Sequence, residues 1–342
     1  MDGLGGSPLL DVKDLHTGFP TLEGLLLATN GVSFTLERGA TLALVGESGS
    51  GKSMTCRSII GLVPKPGEVI EGRVMFDGRD LLGSSRTELR KVRGGEIGMV
   101  FQDPTASLNP VYKVGNQIVE VLRIKRGMGT REATRRAIEL LDRVGIASPA
   151  TQFHSYPHEM SGGMRQRAMI ASAIAAEPML LIADEPTAAL DVTVQAQILA
   201  LLTELQQDTG MAMILVSHDF GVIAQHCDHV AVMYAGYIVE QAPVQEIFDH
   251  PSHPYTQALL ASIPQLDPAN RWEMVPVRGQ PPELSKLAPG CPFSPRCEFV
   301  RDGCESVPMS LQEVGPDHVT ACPFVTWRDR VATSPHLRDG QP

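Results

Sequence analysis

The 342-residue chain lacks any apolar run near the ~18 residues needed to cross a bilayer. Its longest candidates are broken by charge or proline, as at Ala168–Ala176, which runs into Glu177-Pro178. Its first residues, Met1-Asp2-Gly3-Leu4-Gly5-Gly6, offer no basic n-region and no apolar h-region, so no secretory signal is expected. A cytosolic chain is expected, reaching a membrane only through protein partners, and that compartment disfavours disulfides. A basic excess is also missing. Lys and Arg number 29 against 39 Asp and Glu, a net charge of -10, which argues against a general nucleic-acid binder. No internal repeat, low-complexity tract or heptad run is present.

What is present fits a globular chain of about two domains by length. Hydrophobic residues make up 43% and charged residues 20%, enough to bury a substantial core. The composition divides near residue 243. From Pro243 onward lie 16 of the 26 prolines, and four of the six cysteines fall in the last 52 residues.

Before that join, strand-like and helix-like segments alternate. Strands are expected at Leu9–Phe19, Gly31–Leu36, Thr41–Val45, Ile97–Gln102, Met179–Ala183 and Met211–Val216. Hairpins are expected after Arg73–Phe76, at Asp77-Gly78, and around Ala235-Gly236 within Val230–Glu240. Helical spacing marks Lys52–Leu62, a stretch from about Val114 to Gly145, and Val192–Gln207. The pattern predicts an α/β fold on a mainly parallel sheet. After about residue 265 the periodicity is lost.

Three strand ends carry chemistry. Gly46-Glu47-Ser48-Gly49-Ser50-Gly51-Lys52-Ser53 fits G-x-x-x-x-G-K-[ST] between an apolar strand and a helix, the context of a P-loop. Its glycines let backbone N–H groups ring a phosphate, and the helix adds its positive dipole end. Lys52 is assigned to the β- and γ-phosphates and Ser53 to Mg²⁺. Asp184 and Glu185 end the second strand, Asp184 to hold Mg²⁺ through water and Glu185 to orient and deprotonate the attacking water. His218 ends the third, where a contact to the γ-phosphate or to that water is expected.

One further motif, Met160-Ser161-Gly162-Gly163-Met164-Arg165-Gln166-Arg167, resembles the signature of ABC-transporter nucleotide-binding domains. P-loop, Gln102, S-G-G, D-E, Asp191 and His218 follow in that family's order, so the resemblance covers roughly residues 9–248. It implies a P-loop ABC ATPase cassette: a mainly parallel sheet core, an antiparallel β subdomain and an α-helical subdomain at about 103–177. By the same resemblance Phe19 stacks on adenine, Met54 lies in the ATP site, and Gln102 touches Mg²⁺ and senses a transmembrane subunit. Ser161, Gly162, Gly163 and Met164 act on ATP held by an opposite subunit, and Asp191 couples the two sites. Methionines at 160, 164 and 54 depart from the commoner residues without removing a catalytic group.

Phe101-Gln-Asp-Pro104, Ser107-Leu-Asn-Pro110, Ser155-Tyr-Pro-His-Glu159, Leu190–Gln197 and His253-Pro-Tyr-Thr256 are more particular. With Arg278-Gly-Gln-Pro-Pro282 and Gly290-Cys-Pro-Phe-Ser-Pro-Arg-Cys297 they resemble ATP-binding subunits of oligopeptide/dipeptide importers, including the nickel-importer branch. The resemblance implies a cassette over 1–248 and an importer-type extension over 249–342. It implies two transmembrane permease subunits, an extracytoplasmic solute-binding protein, and a second, related ATP-binding subunit that completes an ATP sandwich. Its implied place is the cytoplasmic face of the cell membrane. Peptide is the implied cargo, with nickel or another small solute as the alternative. A soluble ABC ATPase acting on ribosomes or DNA fits poorly, because the chain has one cassette, no coiled coil and an acidic balance.

Cys291, Cys297, Cys304 and Cys322 are spaced C-x5-C-x6-C-x17-C, which lacks the C-x2-C pairs of zinc ribbons. Four thiolates can hold Zn²⁺ or a [4Fe–4S] cluster, and irregular loops suit the cluster. Buried or free thiols are the bland alternative. Importers of the resembled subgroup carry a [4Fe–4S] cluster here, which favours it. Cys56 and Cys227 have apolar or helical neighbours and read as structural.

Overall fold

The computed structural model describes residues 7–22, 24–188, 190–263 and 276–324. The N-terminal hexapeptide and parts of the 249–342 extension lie outside the described residues.

Two sheets organise the chain. β1 (Leu10–Thr21) pairs antiparallel with β2 (Gly24–Leu36) and with β4 (Glu68–Phe76), and β5 (Arg79–Asp80) closes the edge. Leu10, Val12 and Leu15 point into the core while Lys13 and Asp14 face solvent. The β1–β2 ladder bulges three times between Val12 and Gly18, which bends this sheet over the second.

The second sheet holds the expected apolar runs. β3 (Thr41–Val45), β6 (Ile97–Val100), β7 (Leu180–Asp184), β8 (Ala212–Ser217) and β9 (His229–Tyr234) stand in the order β9-β3-β8-β7-β6, all parallel. Every residue of β3 and β7 is buried, as both-face coverage requires. β10 (Tyr237–Pro243) turns back antiparallel on β9 through Ala235-Gly236, as expected. β12 (His318–Thr320) then pairs with β10, and β11 (Gln312–Gly315) with β12. The cysteine-bearing tail therefore adds two strands to the cassette's own sheet, which the sequence pattern did not disclose.

Helices cover both faces. α1 (Lys52–Ile59) follows β3, and α2 (Arg86–Val92) starts in a capping box of Ser85 and Glu88. α3 (Pro104–Ser107) is one turn. The long stretch expected from Val114 is two helices, α4 (Val114–Arg126) and α5 (Thr130–Arg143). Gly127, at φ +67°, breaks them apart. α6 (Pro149–Gln152) is short, and α7 (Gly162–Ile174) begins at the S-G-G motif. α8 (Val192–Thr209), α9 (Phe220–His226), α10 (Val244–Asp249) and α11 (Pro254–Ala261) complete the set. Among the described residues no helix is long and apolar enough to cross a membrane.

Two buried clusters meet at the parallel sheet. One joins its Val45, Val100, Ala183 and Leu215 to α4, α5, α7 and α8. The other joins Leu42, Leu44, Ile182 and Ile214 to α1 and the antiparallel sheet. The C-terminal strand ends are thus fixed from both sides, as a site built on them requires.

Candidate functional site

β3 ends at Gly46 (φ +148°), and α1 begins after Gly51 (φ +107°). Glycine is required at both. A Cβ at 46 would collide with the Met233 carbonyl, and one at 51 would lie 2.5 Å from the Ala28 carbonyl. The loop rests against the β9–β10 turn, where Gly236 N–H donates to Ser50 C=O at 2.9 Å. Within it, Lys52 is buried and its Nζ donates to the carbonyls of Gly46 (2.8 Å) and Glu47 (2.9 Å). Burial pulls the Lys52 ammonium below its ordinary value, and Glu185 and Asp184 push it back up. Ser50 Oγ is buried without a hydrogen-bond partner, and Ser48 and Gly49 are exposed. An unpaired buried hydroxyl beside a lysine in a ring of positive-φ glycines fits a phosphate-accepting cradle.

Asp184 ends β7 next to this loop. Ser53 Oγ donates to its Oδ1 at 2.7 Å. Burial raises the Asp184 carboxyl above its usual value, which the Ser53 hydrogen bond opposes. One carboxylate with one hydroxyl suits Mg²⁺, which takes its remaining ligands from phosphate and water. Among the described residues no group of three or more His, Cys, Asp or Glu could hold a metal by itself.

Glu185 adopts φ +45°, a left-handed conformation that costs a non-glycine residue about 1–3 kcal/mol. Its N–H still pairs with Val216 C=O at 3.2 Å, and its carboxylate accepts from Gln102 Nε2 at 2.8 Å. His218 Nδ1 lies 4.0 Å from Glu185 Oε1, and its ring is largely exposed. Gln102 is thus bonded to Glu185 rather than to the Ser53–Asp184 pair. The structure gathers Lys52, Ser53, Asp184, Glu185, Gln102 and His218 at one edge of the sheet.

The S-G-G motif is a separate feature. Ser161 is exposed and caps α7, accepting from Met164 N–H at 3.3 Å. Asp191 caps α8 in the same way, accepting from Val194 N–H at 3.0 Å. A Cβ on Gly163 would reach Val194 Cγ1 at 3.1 Å, so the two helix starts lie together. Among the described residues no hydrogen bond joins Ser161–Met164 to Gly46–Ser53. Phe19 lies on β1, its ring filling the space a side chain at Gly67 would need. Met54 is half-buried on α1.

Cys291, Cys297, Cys304 and Cys322 line one cavity with Phe293, Phe299 and Phe324. Burial raises the Cys291 thiol and pushes Cys297 up to about 11. They share that cavity without converging on one point closely enough for three to hold a metal.

Sequence reasoning missed two residues that grip the P-loop. Arg296 forks onto the Glu47 carboxylate, and Tyr255 Oη accepts from Glu47 N–H. Glu47 itself was the available signal, because a carboxylate in a phosphate-binding loop needs a cation.

Known proteins are similar to this chain. A family model described as "ABC transporter" matches residues 29–188, and one described as "Oligopeptide/dipeptide transporter, C-terminal region" matches 239–304. The oligopeptide transport ATP-binding protein OppD of Haemophilus influenzae is 49% identical over 302 residues, covering 88% of this chain and 93% of that relative. A putative peptide import ATP-binding protein of Brucella melitensis is 47% identical over 336 residues, covering 95% and 99%. OppD of Mycobacterium tuberculosis is 48% identical over 92% of this chain, which spans 52% of that longer relative. Among solved structures, a dimeric post-hydrolysis state of the ATP-binding cassette MJ0796 bound to ADP and Pi superposes with a TM-score of 0.63. It is 28% identical and covers 69% of this chain and 98% of its own.

Proposed function

The chain belongs to the ATP-binding subunits of oligopeptide ABC transporters, and from that premise we propose that it binds and hydrolyses ATP to drive peptide import. The observation that carries the reading is the Ser53–Asp184 pair at 2.7 Å, beside buried Lys52 and next to Glu185. In this reading the N–H groups of Gly46–Ser53 and the α1 dipole hold the β-phosphate, with Lys52 on the β- and γ-phosphates. Ser53 and Asp184 hold Mg²⁺, which supplies charge neutralisation at the phosphates, and Gln102 lines the same edge. Glu185 accepts a proton from the attacking water, with the Gln102 amide fixing its carboxylate. His218 serves the γ-phosphate or that water. Phe19 stacks on the adenine.

Ser161, Gly162, Gly163 and Met164 act on ATP in an opposing subunit, and Asp191 joins the two sites. The exposure of Ser161, and the absence among the described residues of a hydrogen bond from it to Gly46–Ser53, support this assignment. ATP closes the pair and hydrolysis opens it, a cycle that needs ATP to favour the closed form by several kcal/mol. Two transmembrane permease subunits receive the motion, fed by an extracytoplasmic solute-binding protein. The second ATP-binding subunit is a related, distinct chain. The subunit sits peripherally on the cytoplasmic face of the inner membrane and needs no nucleic acid. Residues 1–248 form the cassette, with a helical subdomain at about 103–177, and 249–342 the importer extension.

The same reading gives Cys291, Cys297, Cys304 and Cys322 a structural or redox-sensing [4Fe–4S] cluster, with Zn²⁺ as the alternative. The four thiols line one cavity, and holding a cluster would require them to converge further than they do here. A brown anaerobic preparation with equal iron and sulfide is expected. A colourless protein with stoichiometric zinc would replace the cluster by the alternative. Cargo is decided by uptake in a deletion strain. Loss of labelled di- or oligopeptide uptake supports peptide import, whereas normal peptide uptake with lost Ni²⁺ uptake refutes it.

A further inference from the structure

Glu47 sits in the phosphate cradle, where a free carboxylate would repel the nucleotide. It is not free. Arg296 Nη1 donates to Glu47 Oε2 at 2.6 Å and Nη2 to Oε1 at 3.0 Å, a two-pronged fork across 249 residues. The Arg296 side chain is 5% exposed. Its Nε donates to Arg278 C=O at 2.6 Å and its Nη1 to Tyr234 Oη at 3.2 Å, so the fork is aimed from three directions. The guanidinium lies 5.8 Å from the ring centres of both Tyr234 and Phe293. Tyr234, Tyr255 and Phe293 form one aromatic cluster, with centroids 4.5–5.3 Å apart. From that cluster Tyr255 Oη accepts from Glu47 N–H at 2.8 Å. Both the backbone and the carboxylate of Glu47 are thereby tied down, by Tyr255 and Arg296 respectively.

We infer that Arg296 is a positioning residue for ATP binding, neutralising Glu47 and holding that carboxylate away from the phosphates. The inference rests on the reading of Gly46–Ser53 as the nucleotide cradle. Arg296 makes the C-terminal extension part of the ATP site without touching nucleotide. A guanidinium fits this task better than an ammonium, because it matches both carboxylate oxygens and keeps its charge when buried.

The test is Mg-ATP binding to the full chain by titration calorimetry. Arg296→Met strands an uncompensated carboxylate beside the phosphates, so affinity should fall roughly tenfold. The double variant Glu47→Gln/Arg296→Met removes that carboxylate and should recover to within about threefold of wild type. A purely structural role for Arg296 gives no such recovery. Arg301→Ala, a change in the same extension away from Glu47, serves as the unaltered control. Should Arg296→Met fail to fold, Arg296→Gln takes its place. It removes the charge but keeps a polar donor, so a roughly tenfold loss is again expected, and unchanged binding there would overturn neutralisation. Unchanged binding by Arg296→Met, or a double variant as weak as the single, also overturns the inference. Wild-type protein that fails to bind Mg-ATP at all would instead remove the cradle reading beneath it.

Discussion

Two helix starts in this molecule are built from glycine and serine, and they differ in almost every other respect. The start of α1 is buried, with Lys52 folded onto the carbonyls of Gly46 and Glu47 and Ser53 bonded to Asp184. At the start of α7 Ser161 is exposed, and its hydroxyl makes an ordinary cap to Met164. The first is braced by β9, β10, α11 and Arg296. At the second, a Cβ on Gly162 or Gly163 would meet Leu190 or Val194 beside the cap of α8. A loop that binds its ligand alone must be preorganised within its own chain. In the proposed reading the second loop completes a site on another chain and must stay accessible to it.

The largest expected effect breaks the buried half at its chemistry. Glu185→Gln keeps the Gln102 contact and the fold but removes the base, so turnover should drop about 10²–10⁴-fold while Mg-ATP binding stays. An ATPase assay paired with a binding titration checks this, and near-normal turnover would strip Glu185 of its role. Next comes the backbone of the same loop. Gly51→Ala places a Cβ 2.5 Å from the Ala28 carbonyl at φ +107°. A loss of more than about 2 kcal/mol in stability is expected, read by denaturant melts. A melt within a few tenths of wild type would mean the loop is not held as described.

On the exposed side the costs are small. Asp191→Ala removes one cap from α8 and should cost about 1 kcal/mol. A much larger loss would mean that this helix start is braced by more than its cap. The smallest effect concerns two buried thiols, Cys56 on α1 and Cys227. Burial pushes Cys227 up to about 12 and Cys56 well above its ordinary value. Neither should be alkylated in native protein at about pH 8, and labelling should appear only on unfolding or as pH approaches the raised values. Rapid labelling of Cys227 at neutral pH would contradict its place in the core.

What could be read in advance follows the range of the interactions. β3, β7 and β8 are continuous apolar runs that must be covered on both faces, so their identity is local and their ends differ by a residue or so from expectation. The P-loop is equally local, since its conformation depends on glycines within eight residues. The split between α4 and α5 turns on Gly127 and was masked by apolar residues that continue in helical spacing on both sides. β11 and β12 were invisible for a different reason. Gln312-Glu-Val-Gly315 and His318-Val-Thr320 are too short to show alternation, and their partner β10 lies far back in the sequence. Fully buried Glu240 fixes that junction, accepting from Ser252 N–H, from His253 N–H at 2.7 Å and from His318 Nε2 at 2.8 Å. The Arg296–Glu47 fork is longer still. No window of sequence contains both partners, so only the folded chain reveals it.

The contrast between the two helix starts is tested most directly by measuring Mg-ATP binding and hydrolysis side by side in Lys52→Ala and Gly162→Asp proteins. Lys52→Ala should lose both, because its cradle is intrinsic to the chain. Gly162→Asp should bind ATP within about threefold of wild type as a single subunit and lose hydrolysis in the assembled transporter, through an anion set against the partner's phosphate. Equal loss of single-subunit binding in both variants, or normal hydrolysis by Gly162→Asp, would contradict it.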